Sequence, residues 1–270
     1  MIIDFHTHVF PDKIAAATVS ALEAASGNRP HSDGTAEGLL SALVLAGASA
    51  SVNLPVLTKP TQFESVLGFA SALNGREYNC ERIISFAGIH PDDNDYAEHL
   101  SMVKAAGIKG IKIHPDYQRK FFDDEAYVRI ISEAKKLGLV VVTHAGVDAG
   151  FRGEEVKCTP KRVLSLLDRV GGYSRLVLAH LGGAEMTGEV IDTLAGEDVY
   201  FDTAYNLGHV TRAEFSELVE KHGVEKMLFA TDSPWQDIRR EVERIRTLGL
   251  SETELSLILS ENAIKLLNLR

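Results

Sequence analysis

A chain of 270 residues with 45% hydrophobic and 24% charged residues can bury a large core in one domain and has the ordinary balance of a water-soluble protein. Its formal net charge of −10 argues against nucleic acid or an anionic membrane surface as partner, because both need a basic patch. A small anionic substrate held by one or two local cations stays allowed.

The first predicted strand is MIIDFHTHV. It lacks a basic n-region, and Asp4 and two histidines interrupt its apolar run, so it reads as a strand and not as a signal peptide. Strict alternation puts Ile2, Asp4, His6 and His8 on one face. Two neighbouring imidazoles need polar partners when buried, and one metal ion would satisfy both; an exposed strand edge with solvated rings is the plain alternative. The stretch SGNRPHSDGT is expected to be loosely ordered. Gly38 to Thr58 carries no charge, yet its Pro55, Asn53, glycines and serines fit a buried helix (GLLSALVLAG) and strand (ASVNLPVL) better than a membrane span.

Further strands follow at RIISFAGIHP, IKGIKIHPD, LVVVTHAG, RLVLAHLGG, VYFDTAY and MLFATDSPW. Between them lie helical spacings such as DDEAYVRIISEAKKLG and PKRVLSLLDRVG, each closed by glycine. Apolar strands alternating with amphipathic helices imply a parallel sheet covered by helices. Eight such units predict a single (β/α)8 barrel domain over residues 1–270. An open doubly wound sheet is the alternative, but no glycine-rich phosphate fingerprint follows the first strand.

In such a barrel reactive groups stand at the carboxyl ends of the strands. Six of the ten histidines fall there: His6, His8, His90, His114, His144 and His180, with Asp232 at the eighth. Lys112 shares a strand face with His114 and should point inward. Cys80 and Cys158 are too few for a disulfide framework and lack a CxxC spacing, so free thiols in a reducing cytoplasm are expected. Cys158, His31, His99, His209 and His222 fall in helices or loops and are expected to be solvated.

DFHTH, GIKIHP, THAG, AHLGG, FATDSPW and the closing ENAIKLLNL together resemble the amidohydrolase superfamily. The resemblance is nearest to the branch holding aminocarboxymuconate-semialdehyde and resorcylate decarboxylases alongside hydrolases. It implies that His6, His8, His144 and Asp232 hold a divalent metal, with zinc the expected ion for imidazole and carboxylate donors and one position kept for water. It further implies that His180 positions that water or carries its proton, with Asp232 sharing the proton work. Asp4 is expected either to orient a ligand ring or to play a buried structural role. His114 and His90 either line the pocket or bond a loop. Some superfamily members bridge two metals with a carbamylated lysine, which would be Lys112 here. In the decarboxylase-like branch a GxKxHP strand accompanies one metal, so one metal is preferred, with Lys112 as a deep polar contact.

Val147 stands where adenosine-type deaminases, which the resemblance would also cover, carry a glutamate. Lys112 and His114 stand where TatD-like nucleases need one. Hydrolysis of a small lactone, ester or amide is the preferred expectation. Non-oxidative decarboxylation of a small carboxylic acid is the alternative, and a barrel that binds metal or ligand without turnover is the alternative of another class. Arg119, Lys120 and Arg152 follow strands four and five; Lys120 reads as solvated, whereas Arg152 or Arg119 is expected to anchor a substrate carboxylate through its planar fork. A homo-oligomer is allowed.

Overall fold

The computed structural model describes residues 1–75 and 82–269; Cys80 falls outside them. In chain order the strands are β1 (Ile3–Thr7), β2 (Ala50–Asn53), β3 in two pieces (Ile83–Ser85 and Ala87–Gly88), β4 (Gly110–Ile113), β5 (Val140–Thr143), β6 (Leu176–Leu178), β7 (Tyr200–Asp202) and β8 (Met227–Leu228). Each pairs in parallel with the next. Phe86 N–H donates to Asn53 O at 2.9 Å across the break in β3, and Phe5 N–H donates to Phe229 O at 2.8 Å to close the ring. The predicted (β/α)8 barrel is the fold.

Two helices follow β1, α1 (Asp12–Ser26) and α2 (Ala36–Leu45). One then follows each of β2 to β7: α3 (Phe63–Asn74), α4 (Tyr96–Ala105), α5 (Glu125–Leu137), α6 (Pro160–Val170), α7 (Thr187–Thr193) and α8 (Arg212–His222); α9 (Ile238–Ile245), α10 (Glu252–Ser256) and α11 (Asn262–Leu267) follow β8. Tyr127, Ile130, Ile131 and Ala134 make one apolar stripe on α5, and the Asp124 carboxylate caps its first turn by accepting from Ala126 N–H. The link between α1 and α2 is irregular but anchored, with His31 N–H donating to Pro234 O at 2.7 Å. Among the described residues no helix is long and apolar enough to cross a membrane.

Side chains on alternate sides of the strands fill two layers. Phe5, Val52, Phe86, Val142, Val177 and Leu228 pack within one cluster, and Ile111, Ile113, Val141, Leu178 and Phe201 join the helices in the other. Burial on both faces explains why these strands read as continuous apolar runs.

The register of β1 slips between Asp4 and Thr7, and this overturns the expected shared face. Beyond such a bulge strict alternation fails. Asp4 accepts from Thr231 N–H at 3.0 Å, from the Thr231 hydroxyl at 2.5 Å and from His6 N–H at 3.2 Å. It ties β1 to the chain after β8 and touches no histidine ring.

Cys158 and His222 are buried, not solvated, and His99 is half-buried on the Asp93 carboxylate; His31 and His209 are exposed as expected. The His222 ring stacks on Phe201 with centroids 3.8 Å apart. Its Nδ1 accepts from Gly196 N–H at 3.2 Å and its Nε2–H donates to Val199 O at 3.1 Å, an arrangement that requires the neutral ring. Burial lowers its pKa from 6.5 to about 4. The unfolded chain therefore takes up this proton first, so the contribution is complete above about pH 6.5 and lost as pH falls through about 4. The loss amounts to up to about 3 kcal/mol. We expect melting curves of wild type and His222→Gln to differ most near pH 7.5 and to converge towards pH 4.5. A stability gap constant across that range would contradict this account.

Candidate metal centre

His6 and His8 leave the end of β1 with their outer ring nitrogens already committed. His6 Nδ1–H donates to Asp202 Oδ2 at 2.8 Å, and His8 Nδ1–H donates to the Leu54 carbonyl at 2.9 Å. Each ring then turns its Nε2 inward. His8 Nε2 lies 3.0 Å and His6 Nε2 3.5 Å from the same oxygen, Oδ1 of Asp232. Ring nitrogens and a carboxylate oxygen facing one another at this range suit a cation placed between them. The three ligand atoms lie within 4.8 Å of one another, a donor set of the kind that holds zinc or a similar divalent ion.

The same accounting fixes the next pair. The Ala204 carbonyl can only accept, so His180 Nδ1 carries the proton it shares at 2.9 Å. His180 Nε2 then accepts from His144 Nδ1–H at 2.9 Å, which leaves His144 Nε2 bare, buried and without a partner. Burial, reinforced by the neighbouring Lys112 and imidazoles, holds the His6 and His144 rings well below the ordinary histidine range. Burial also lowers His180 to about 4. All three rings are neutral at pH 7 and keep these lone pairs.

Backbone geometry holds the ring carriers in place. His180 (φ 61°) and Asp232 (φ 69°) occupy the left-handed region, a conformation costing roughly 1–3 kcal/mol for such residues. Asp202 Oδ1 accepts from His180 N–H at 2.9 Å, and Asp232 N–H donates to His6 O at 2.8 Å. Gly146 of the THAG stretch lies so close to Ala184 that a Cβ would sit 2.1 Å from its nitrogen. Glycine is thus required where the loops after β5 and β6 cross.

Lys112 is the buried cation at the floor. Its Nζ lies 3.1 Å from His6 Nε2 and donates to it. Burial lowers its pKa to about 8, against the opposing pull of Asp202 and Asp232. His114 sits beside the centre, stacked on His144 with centroids 4.3 Å apart and its Nε2 3.2 Å from Asp148 Oδ2. His114, His144 and Asp148 form a second group whose ligand atoms lie within 4.8 Å of one another. The expected ligands are therefore divided: His6, His8 and Asp232 converge, while His144 groups with His114 across the floor.

Arg119 and Arg152 are not placed to anchor a substrate. They are 60% and 61% exposed and pair with Glu154 at 2.6 Å and Glu185 at 2.7 Å, and neither lines the cavity above the floor. Lys120 pairs with Asp92. His90 Nδ1 accepts from Asp92 N–H at 3.1 Å and closes its own loop. Sequence reasoning missed two residues, Asp202 and Asp148. The first had a readable signal, an acid at the end of the seventh strand; the second lies in a loop whose path no periodicity reveals.

The cavity has a volume of about 990 Å³. A family model described as Amidohydrolase matches residues 3–269. Comparison of the sequence with curated proteins finds no match. Among solved structures, a 5-carboxyvanillate decarboxylase from Novosphingobium aromaticivorans with bound manganese is similar at a TM-score of 0.73 and 13% identity, covering 100% of this chain and 97% of that one. A 5-carboxyvanillate decarboxylase from Sphingomonas paucimobilis gives 0.68 and 18%, covering 99% and 98%. A protein from Acinetobacter baumannii described as a "probable" 2-pyrone-4,6-dicarboxylic acid hydrolase gives 0.69 and 17%, covering 99% of both chains. At these identities the likeness establishes the fold.

Asp202 fixes both the tautomer and the tilt of His6, so its loss should weaken metal binding without removing a donor. Asp202→Asn is expected to lower zinc affinity by ~10–100-fold in a competition titration with a chromogenic chelator. Unchanged affinity would show that His6 needs no such partner.

Proposed function

The chain belongs to the amidohydrolase family, and on that premise we propose that it hydrolyses an ester, lactone or amide bond of a small molecule, with one divalent metal at the floor of the barrel. The supporting observation is the convergence of the His6 and His8 Nε2 atoms on Asp232 Oδ1. His6, His8 and Asp232 would hold the metal, and His144 Nε2 is a further bare donor on the same floor. When bound, such an ion supplies Lewis acidity and lowers the pKa of water from 15.7 to about 7. Zinc is our proposed ion; manganese is the one named for a solved structure of similar fold.

The chain's own groups divide the remaining work. Asp232 accepts the proton of the attacking water and returns it to the leaving group. The Lys112 ammonium faces the carbonyl oxygen as negative charge develops there, in a site where burial strengthens each such interaction. His180 acts through His144, holding its ring by the Nδ1–H bond. His114, held by Asp148, offers a substrate contact beside that ring. With Arg119 and Arg152 tied up outside, no arginine among the described residues lines the cavity. A neutral carbonyl therefore suits this floor better than a carboxylate needing a bidentate clamp.

Decarboxylation is the second reading. It is favoured by the decarboxylases among the solved structures of similar fold and by Lys112, which could meet one carboxylate. The two reactions differ in product: hydrolysis releases acid from a neutral substrate, whereas decarboxylation consumes one and evolves carbon dioxide. We expect zinc-loaded protein to release acid in a pH-stat from a panel of esters and lactones, or free amine from the corresponding amides. Chelation should abolish the activity and zinc, cobalt or manganese should restore it. Asp232→Asn should lower kcat by ~10²–10⁴-fold. Carbon dioxide from aromatic acids without any ester or lactone turnover would transfer the assignment to decarboxylation. Full activity after chelation would defeat both, and two bound ions per chain would favour a bridged Lys112 over the single-metal reading.

A further inference from the structure

The cavity is far larger than the chemistry at its floor requires. Its volume of about 990 Å³ lies at the upper end of the range that encloses drug-sized ligands. Its roof is α1, which crosses the mouth of the barrel. The helix leaves β1, touches the turn Ala149–Phe151 after β5, and is tied beyond its end by the Tyr205 hydroxyl donating to Asn28 Oδ1 at 3.0 Å.

Only Ala15 and Val19 of α1 are buried in the core. Ile14, Thr18, Leu22 and Ser26 instead line the cavity. They recur every four residues and so form one face of the helix, about 18 Å long at 1.5 Å per residue. Opposite, α3 presents Val66 and Phe69 at helical spacing to the same space. Thr18, Leu22, Ser26, Val66 and Phe69 are half-buried and Ile14 is exposed, with Val66 and Phe69 also packed against the core. The charged lining groups are confined to the floor (Lys112, Asp148, Asp232) and to the first turn of α1 (Asp12, Lys13).

We infer that the slot beneath α1 is a subsite for an extended apolar chain, so that the substrate is an ester or amide whose scissile carbonyl sits on the floor and whose hydrocarbon tail runs between Leu22 and Val66. The substrate class rests on the hydrolytic reading above; the tail subsite does not. An apolar chain in this slot gains from burial against aliphatic and aromatic walls, and a compact single-ring acid leaves most of the slot filled with water.

Trp235 is the sole tryptophan of the chain and lines this cavity, so its fluorescence reports occupancy without turnover. The probes are straight-chain hydroxamic acids of two, four, six and eight carbons, titrated into zinc-loaded protein and again after chelation. We expect saturable quenching, with Kd falling about fourfold for each added methylene. Leu22→Gln, at a half-buried position on the cavity-facing side of α1, should flatten that dependence, and Val66→Phe should cut it off beyond the four-carbon acid. A flat series, an unchanged slope in both variants, or no saturable change with any probe would overturn the inference. A slope that persists while zinc adds nothing to affinity would defeat the metal reading and leave the tail subsite standing.

Discussion

Four histidines at the mouth of this barrel each direct the Nδ1 hydrogen to a fixed acceptor, and the character of the site follows from that constraint. Asp202, the Leu54 carbonyl and the Ala204 carbonyl hold His6, His8 and His180, and His180 in turn holds His144. The acceptors come from other strands or the loops after them, so closing the barrel sets the tautomers. A free imidazole in water would exchange the proton between its two nitrogens; here three Nε2 lone pairs are turned onto the floor. Metal ligation needs that state, and second partners of this kind commonly accompany ligating histidines.

The electrical design of the floor complements this. Asp202, Asp232 and Asp148 bring negative charge to the strand ends, and Lys112 is the buried cation among them. Its ammonium answers part of the demand for positive charge and donates to His6 Nε2. Above the floor, Ile14 and Leu22 of α1 and Val66 and Phe69 of α3 add apolar surface to a lining that also carries Thr18, Ser26, Gln62 and Ser65. Site and slot are thus two parts of one space.

Much of this was legible in the sequence because barrel strands repeat a simple code. Each apolar run ended in its polar residue, and parallel pairing brings such ends to one rim; the places of Lys112, His114, His144, His180 and Asp232 could be read that way. Asp4 could not, because the slip in β1 breaks the two-residue period between it and His6. Arg119 and Arg152 were misjudged for another reason. Each meets a glutamate more than thirty residues away, Glu154 and Glu185, and such pairings depend on loop paths that local pattern does not encode. Cys158 and His222 show the same limit, since burial at a helix end or beyond a strand depends on what packs over it.

The central claim is that imidazole nitrogens and one carboxylate form a metal centre at the floor. X-ray absorption at the zinc edge of protein loaded with one equivalent of zinc tests it most directly. The account predicts a first shell of nitrogen and oxygen at ~2.0–2.2 Å, with the outer-shell scattering of at least two imidazoles. A shell of water oxygens alone, with no imidazole contribution, would contradict it.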